Sequence, residues 1–129
     1  MEVTTQQQSR VPENWQGSDA SFIAYESLVR QGKQPGIDFS YNPPTQGRRM
    51  DMDVEVDFLF SNPSDLAIQV QESFYAHQSG ISTQSRDILN KVRLAGFGKT
   101  LVLLDHDQLM QDPDWLISEA LQYRDHSRG

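Results

Sequence analysis

The chain has 129 residues, a hydrophobic fraction of 36% and a formal net charge of −7. That length allows one compact domain but not two ordinary ones. The absence of cysteine excludes disulfides, thiolate catalysis and thiolate zinc sites, and is typical of an intracellular protein. The acidic balance counts against tight, sequence-independent DNA binding by a monomer, because such binders usually present a basic surface.

The sequence predicts neither a membrane span nor a secretion signal. No run approaches the roughly 18–20 apolar residues that a span needs. The first residues, "MEVTTQQQSRVPENW", lack the hydrophobic stretch of a signal peptide. We therefore expect a cytoplasmic protein. Residues 1–16 are predicted to be a flexible arm that Trp15 anchors to the body.

The first predicted elements are a helix and a short strand. Ser18 or Asp19 caps a helix that runs to about Gln31, where Gly32 suits its end. Its apolar residues recur near helical spacing and predict a buried stripe of Phe22, Tyr25, Leu28 and Val29. A short strand over 37–41 follows, between a Pro-Gly turn and two prolines.

Two alternating segments come next and predict a pair of strands around the turn "SNPSD". In the strand 53–60, Val54, Val56, Phe58 and Phe60 share one face and the acids the other. In the strand 66–73, Leu66, Ile68 and Val70 lie opposite the polar positions. If these strands pair, their polar sides share one face of the sheet. Four side chains then converge there: Glu55, Asp57, Gln69 and Gln71.

The last part of the chain predicts a helix, a strand and a final helix. The helix spans about 83–95, buries Ile88, Leu89, Val92 and Ala95, and aligns Arg86, Asn90 and Arg93 on its polar side. The continuous apolar run "KTLVLLD" predicts a strand covered on both faces. Asp112-Pro113 opens a helix that runs to about Arg124 and buries Leu116, Ala120 and Tyr123. The tail "DHSRG" is expected to fray.

The predicted order is α-β-β-β-α-β-α, an α/β fold with a mixed sheet flanked by helices. The helical crossover between the last two strands predicts that they are parallel. We expect one domain over residues 17–125 and a tail over 126–129.

This order, with an acid in the second strand and polar residues along the third, resembles the PD-(D/E)xK or restriction-endonuclease-like nuclease superfamily. It is most similar to the very-short-patch-repair endonuclease type. The matching segments are "VDFLF", "IQVQESFYAH" and "SRDILNKVRLAGFGKTLVLLDHDQLMQDPDWLISEAL". The resemblance covers roughly residues 18–124. It implies a restriction-endonuclease-like fold and a divalent-metal-dependent DNA endonuclease with Mg²⁺ or Mn²⁺, acting in DNA repair or encoded by a phage.

The resemblance also implies roles for single residues. Asp57 matches the metal-binding Asp, Gln69 and Gln71 occupy the positions of the Glu and the Lys of the Glu-x-Lys motif, and the Val70 carbonyl matches a common metal ligand. His77 lies one place beyond the family's second His. The chain has Ser21 where a Glu is often found on the first helix, with Glu26 nearby.

These departures weaken the implied chemistry. A Gln offers Mg²⁺ only a neutral oxygen, and Gln71 cannot take a proton. Glu55, about 6.6 Å from Asp57 along the same strand face, is a candidate second carboxylate. His77 is a candidate base if its loop folds over the site.

The resemblance makes DNA the expected partner. Arg48, Arg49, Arg86 and Arg93 are the candidate contacts to phosphate. A single small site implies a homodimer if both strands are cut and nicking if not; no membrane and no small-molecule cofactor are expected. The alternative is a catalytically inactive module of the same fold that binds DNA or serves in phage assembly.

Each of these residues also has a purely structural interpretation. Asp57 pairs with Arg86 or Arg93 in that interpretation. The two glutamines form a polar ladder on a half-solvated sheet, and His77 is an ordinary loop histidine. The arginines of the second predicted helix belong to a solvated face.

Overall fold

The structure is a computed structural model that describes residues 11–42, 56–71 and 80–127. For residues 80–86 it describes the backbone but not the side chains. In chain order the elements are α1 (Asp19–Arg30), β1 (Phe39–Tyr41), β2 (Phe58–Phe60), β3 (Leu66–Val70), α2 (Gly80–Gly96), β4 (Thr100–Leu104), α3 (His106–Gln111) and α4 (Pro113–Ala120).

The strands form one four-stranded sheet in the order β1-β2-β3-β4. β2 is antiparallel to β1 and to β3, with Phe58 opposite Ile68. β3 and β4 are parallel, with Val70 opposite Leu104. The predicted parallel pairing of the last two strands is confirmed. The long connection through α2 allows it, because parallel strands need a crossover.

Apolar side chains cover both faces of this sheet. One cluster lies between the sheet and the helices α1, α3 and α4, and includes Leu28, Phe58, Ile68 and Leu116. The second cluster, on the other face, joins Leu94 of α2 to the sheet. Its members are Val56, Leu59, Ala67, Leu94, Leu101 and Leu103. β4 alternates between the two clusters, which confirms the strand predicted to be covered on both faces. The described part of the chain is thus a mixed α/β fold with helices flanking a mixed sheet.

The first helix follows the predicted capping chemistry. The Ser18 side chain accepts a hydrogen bond from the Ser21 N–H over 3.0 Å, and Gly32 has a φ of 93° just past the helix end. That φ is easily reached only by glycine. Phe22 and Leu28 are buried as predicted, but Val29 is 44% exposed.

The second helix is turned about its axis relative to the prediction. Ile88, Leu89 and Val92, which apolar spacing placed in the core, are 63%, 47% and 63% exposed. Asn90 and Leu94 are buried instead. The face toward the sheet therefore includes polar residues, and the predicted burial of the aliphatic stripe, Ala95 included, is wrong.

Two strands are shorter than predicted in the described residues. Val56 and Asp57 lie before β2, and Gln71 lies just past β3. A bend at Asp57 breaks the alternation, so Val56 packs in the second cluster while Phe58 packs in the first. The prediction that these two share a face is wrong. The segments 43–55 and 72–79 lie outside the described residues.

The predicted final helix begins at the expected residues but is shorter than predicted, and a short helix that the sequence did not predict precedes it. Asp105 caps α3 and Asp112 caps α4, whose first residue is Pro113. The helix α4 ends at Ala120, and Tyr123 has a φ of 68° and is 39% exposed rather than buried. No helix among residues 11–42 and 80–127 has both the length and the apolarity to cross a membrane.

The start of the predicted frayed tail is bound to the sheet. The His126 N–H donates to the Leu103 carbonyl, and the His126 carbonyl accepts from the Asp105 N–H. The Asp125 carboxylate accepts from the Leu103 N–H and pairs with Lys91 of α2. Asp125 and His126 therefore cover the outer edge of β4, and the prediction of fraying is wrong for them.

Candidate functional site

The candidate site lies where β2 begins and β3 ends. These points are adjacent because the two strands are antiparallel, and the helix α2 packs over the same face of the sheet. Hydrogen bonds join Asp57 to Gln69 and to Val70, and a separate hydrogen bond joins Gln71 to Asp87. Of the four residues predicted to converge, the structure brings Asp57 and Gln69 into contact, whereas Gln71 bonds to Asp87 and Glu55 lies outside the described residues.

Asp57 is held by the backbone on both sides of β2. Its carboxylate Oδ2 accepts a hydrogen bond from the Val70 N–H over 2.9 Å, and its own carbonyl accepts from the Asn42 N–H over 2.8 Å. The residue Asp57 is only 7% exposed. A buried carboxylate held by a backbone donor is rigidly placed, since its bond partner cannot move without breaking the sheet.

The amide of Gln69 is oriented by Asp57. The Asp57 N–H donates to Gln69 Oε1 over 2.8 Å, so the oxygen of this amide is already used within the fold. Of the two ends of the amide, only the oxygen can accept from an N–H group, and this fixes which end faces Asp57. Gln69 therefore braces Asp57 in this structure rather than directing its oxygen at a cation.

Gln71 is bound to the helix α2 through a residue that the sequence did not identify. Gln71 Nε2 donates to Asp87 Oδ2 over 3.1 Å, and the Gln71 N–H donates to the Leu104 carbonyl over 2.8 Å. Gln71 is 6% exposed and Asp87 is half-buried. The helical spacing of Asp87, Asn90 and Leu94 was the available signal, because these residues share one side of a helix.

Several polar residues are buried at or near this site. Asp57, Gln71, Asn42 and Asn90 are all buried, although each such group costs roughly 1–3 kcal/mol unless it is hydrogen-bonded. Hydrogen bonds offset this cost: the Asp57 carboxylate accepts from the Val70 N–H, Gln71 donates to Asp87, and the Asn42 side chain donates to the Val56 carbonyl.

The N-terminal segment reaches the same end of the sheet. Trp15 stacks on Tyr41 with ring centroids 4.6 Å apart, and its Nε1 donates to Ser21 Oγ over 3.2 Å. The anchor predicted at Trp15 is confirmed. Ser21, at the position of the implied helix-one Glu, bonds within this aromatic cluster and to the Ser18 carbonyl.

Several predicted site residues lie outside the described residues. They are Glu55, His77, Arg48, Arg49 and the side chain of Arg86. Arg93 is exposed on α2. Their roles remain predictions. Within the described residues, no group of three or more His, Cys, Asp or Glu side chains is placed to hold a metal ion.

The described residues of the site include two carboxylates, Asp57 at the start of β2 and Asp87 on α2. Hard cations such as Mg²⁺ take oxygen ligands, and Asp57 supplies a carboxylate held by the sheet. The Val70 carbonyl and the Gln71 amide oxygen are neutral oxygens of the same strand end. Gln69 Oε1 is instead bonded to the Asp57 N–H.

Comparison with known proteins does not assign the chain to a family: no family model, no curated protein and no solved structure matches it. The described part of the chain is a mixed α/β fold with buried polar residues at one end of its sheet.

Proposed function

We propose that the protein is a divalent-metal-dependent DNA endonuclease of the restriction-endonuclease-like fold, with a reduced set of metal ligands. One observation carries this proposal: the buried carboxylate of Asp57 is fixed by the Val70 N–H at the point where two antiparallel strands separate. The order of helices and strands and the parallel pairing of β3 with β4 agree with that fold.

In this proposal Asp57 is the anionic ligand of Mg²⁺ or Mn²⁺. The Val70 carbonyl and Gln71 add neutral oxygens, and Glu55 is the candidate second carboxylate. Such an ion activates water and neutralises charge on a scissile phosphate. The chain's own contribution is to hold Asp57 in place, through Val70 on the carboxylate and Gln69 on the backbone N–H.

The proposed substrate is DNA. Exposed Arg93 lies on the helix that covers the site, and Arg48, Arg49 and Arg86 are the further candidate phosphate contacts. The net charge of −7 makes affinity dependent on this local set of cations rather than on the whole surface. Nicking is expected from a monomer, and cleavage of both strands from a homodimer.

A second function is favoured by the orientation of Gln69. Its oxygen is bound to the Asp57 N–H, and Gln71 bonds to Asp87, so both glutamines have partners inside the fold. A module that keeps this fold without catalysis, for DNA binding or phage assembly, uses the same contacts to stabilise the sheet. The two functions differ in whether a metal ion at Asp57 supports cleavage.

A cleavage assay separates them. Supercoiled plasmid and mismatched or branched duplexes are incubated with the protein in Mg²⁺, in Mn²⁺ and in chelator, beside Asp57→Asn and the exposed control Asp107→Asn. We expect metal-dependent nicking that Asp57→Asn abolishes and Asp107→Asn retains. A folded protein that cleaves none of these substrates contradicts the endonuclease and supports the module.

A further inference from the structure

The side of α2 that points away from the sheet carries a row of exposed apolar residues. Ile88, Leu89 and Val92 are its large members, and exposed Ala95 and Gly96 extend the row by one turn. Residues three and four apart are neighbours on a helix, so these residues form one continuous stripe. Single exposed apolar residues are ordinary, but a continuous apolar stripe indicates a surface that binds a partner.

This stripe lies in a basic part of an acidic chain. Residues 86–99 contain four Lys or Arg and one Asp, a formal charge of +3, whereas the whole chain carries −7. Arg93 is exposed on α2, and the side chain of Lys91 is 41% exposed in its pair with Asp125. We call the stripe and these basic residues the α2 face. Because complementary charges favour association, its partner should be acidic as well as apolar.

The helices α3 and α4 of the same chain have that complementary character. Residues 105–119 contain five Asp or Glu and no Lys or Arg, a formal charge of −5. Two large apolar residues, Met110 and Trp115, are exposed on these helices. Asp107 of α3 and Asp114 of α4 are exposed as well. We call the exposed residues of this segment the α3–α4 surface.

We propose that the α2 face of one copy of the chain binds the α3–α4 surface of a second copy. The two surfaces lie on opposite sides of the sheet, because α3 and α4 pack on the first cluster and α2 packs on the second. One copy therefore cannot join its own two surfaces, and the contact between copies is head-to-tail. Such contacts generate rings or filaments. The proposal depends neither on metal binding nor on DNA cleavage.

A symmetric contact between two α2 faces fits the charges less well. It brings two basic segments together, and like charges across a contact oppose binding. The head-to-tail contact joins segments of formal charge +3 and −5 and covers apolar side chains on both of them. The net charge of −7 repels two copies at long range. At physiological salt, however, interactions between exposed charges beyond about 8 Å are largely screened, so the charges at the contact decide.

Sedimentation velocity over a range of protein concentrations tests this contact with three variants of the full chain. Val92→Glu places an acid in the α2 face, opposite the acidic surface of the next copy. Met110→Lys places a base in the α3–α4 surface, opposite the basic segment. The matched control Ile37→Glu adds the same charge as Val92→Glu at an exposed aliphatic residue outside both surfaces. Circular dichroism checks that each variant is folded.

We expect the wild type and Ile37→Glu to associate as the protein concentration rises. Val92→Glu and Met110→Lys should each raise the dissociation constant by about tenfold or more, because each places a like charge in the contact. An equimolar mixture of these two variants should associate again, since each variant supplies the surface that the other lacks.

A wild type that stays monomeric at every concentration overturns the proposal. The proposal is also overturned if Met110→Lys associates like the wild type while Val92→Glu does not, because that pattern indicates a symmetric contact between α2 faces. A monomeric wild type that binds vesicles containing phosphatidylserine would assign the α2 face to an anionic membrane surface instead.

Discussion

The N–H of Val70 donates to the carboxylate of Asp57 over 2.9 Å, across the gap between β3 and the start of β2. Val70 lies in β3, opposite Leu104 of β4, so the donor belongs to the interior of the sheet. The position of the Asp57 carboxylate is thus set by a backbone group of the sheet.

Replacing Asp57 tests this relationship through stability. Asp57→Ala removes the acceptor and leaves the Val70 N–H buried without one, which costs roughly 1–3 kcal/mol. Asp57→Asn keeps an acceptor of the same size, so we expect a smaller loss. Urea unfolding of both variants measures the two costs. Equal free energies of unfolding for Asp57→Ala and wild type would show that the hydrogen bond does not hold in solution.

Gln69→Glu tests whether the site accepts a second carboxylate. The new side chain still accepts from the Asp57 N–H, because a carboxylate oxygen replaces the amide oxygen at that contact. Its other oxygen replaces the amide nitrogen and adds a negative charge beside Asp57. We expect Mn²⁺ affinity to rise by roughly tenfold, about 1.4 kcal/mol, and stability without metal to fall.

Calorimetric titration with Mn²⁺ measures that change in affinity. The matched control is Gln108→Glu on α3, which adds the same charge at an exposed position. Equal affinities in Gln69→Glu and the control would place the metal elsewhere.

The orientation of α2 predicts a contrast between neighbouring apolar residues. Leu94 is fully buried in the second cluster, and Leu94→Ala is expected to cost about 2–5 kcal/mol. Val92 is 63% exposed, so Val92→Ala is expected to lower the free energy of unfolding by less than about 0.5 kcal/mol. Thermal or urea unfolding compares them. A larger loss of stability in Val92→Ala than in Leu94→Ala would show that the buried face of the helix is the one that apolar spacing predicted.

The same helix shows where sequence reasoning succeeds and where it fails. The order of elements, the Ser18 cap, the Asp112-Pro113 helix start and the meeting of Asp57 with Gln69 follow from local patterns, and the structure contains all of them. The face of α2 does not follow, because the apolar-inside rule fails when the covered surface is a polar site. Asp87 and Asn90 lie inward there, and Ile88 lies outward.

The bound C-terminal residues are a second feature that no local pattern shows. The sequence predicts that Asp125 belongs to a frayed tail. Its carboxylate instead accepts from the Leu103 N–H, and the chain pairs with the edge of β4. This contact could not be predicted from the sequence, because it depends on the three-dimensional position of the β4 edge relative to Asp125.

Asp125→Ala tests this edge contact. The change removes the acceptor of the Leu103 N–H and the partner of Lys91. We expect a loss of roughly 1–3 kcal/mol, mainly from the unsatisfied N–H, because exposed ion pairs contribute little. Lys91→Ala is the matched control and should cost less than about 1 kcal/mol. Faster amide exchange at Leu103 in Asp125→Ala, measured by NMR, reports the contact directly.

The ion pair between Arg30 and Asp114 predicts that the stability of the fold depends on pH in the acidic range. Hydrogen bonds from Arg30 and Ser27 lower the pKa of the Asp114 carboxyl below its ordinary value of 3.8. A carboxyl with a lowered folded-state pKa stabilises the fold above its unfolded pKa, and this stabilisation disappears as the pH falls through the folded value. Between pH 6 and pH 3, the wild type should begin to lose its stability advantage over Asp114→Asn, with the change starting near the ordinary pKa of 3.8 and continuing as the pH falls. A constant difference across that range would contradict the contact.

The proposed metal site at Asp57 is tested most directly by measuring Mn²⁺ binding. Electron paramagnetic resonance monitors the titration of the wild type, Asp57→Asn and Asp107→Asn with Mn²⁺. We expect one bound ion in the wild type and in Asp107→Asn, and a loss of affinity of roughly tenfold or more in Asp57→Asn, because that change removes the anionic ligand. Equal binding by all three proteins, or none by the folded wild type, would contradict a metal site at Asp57.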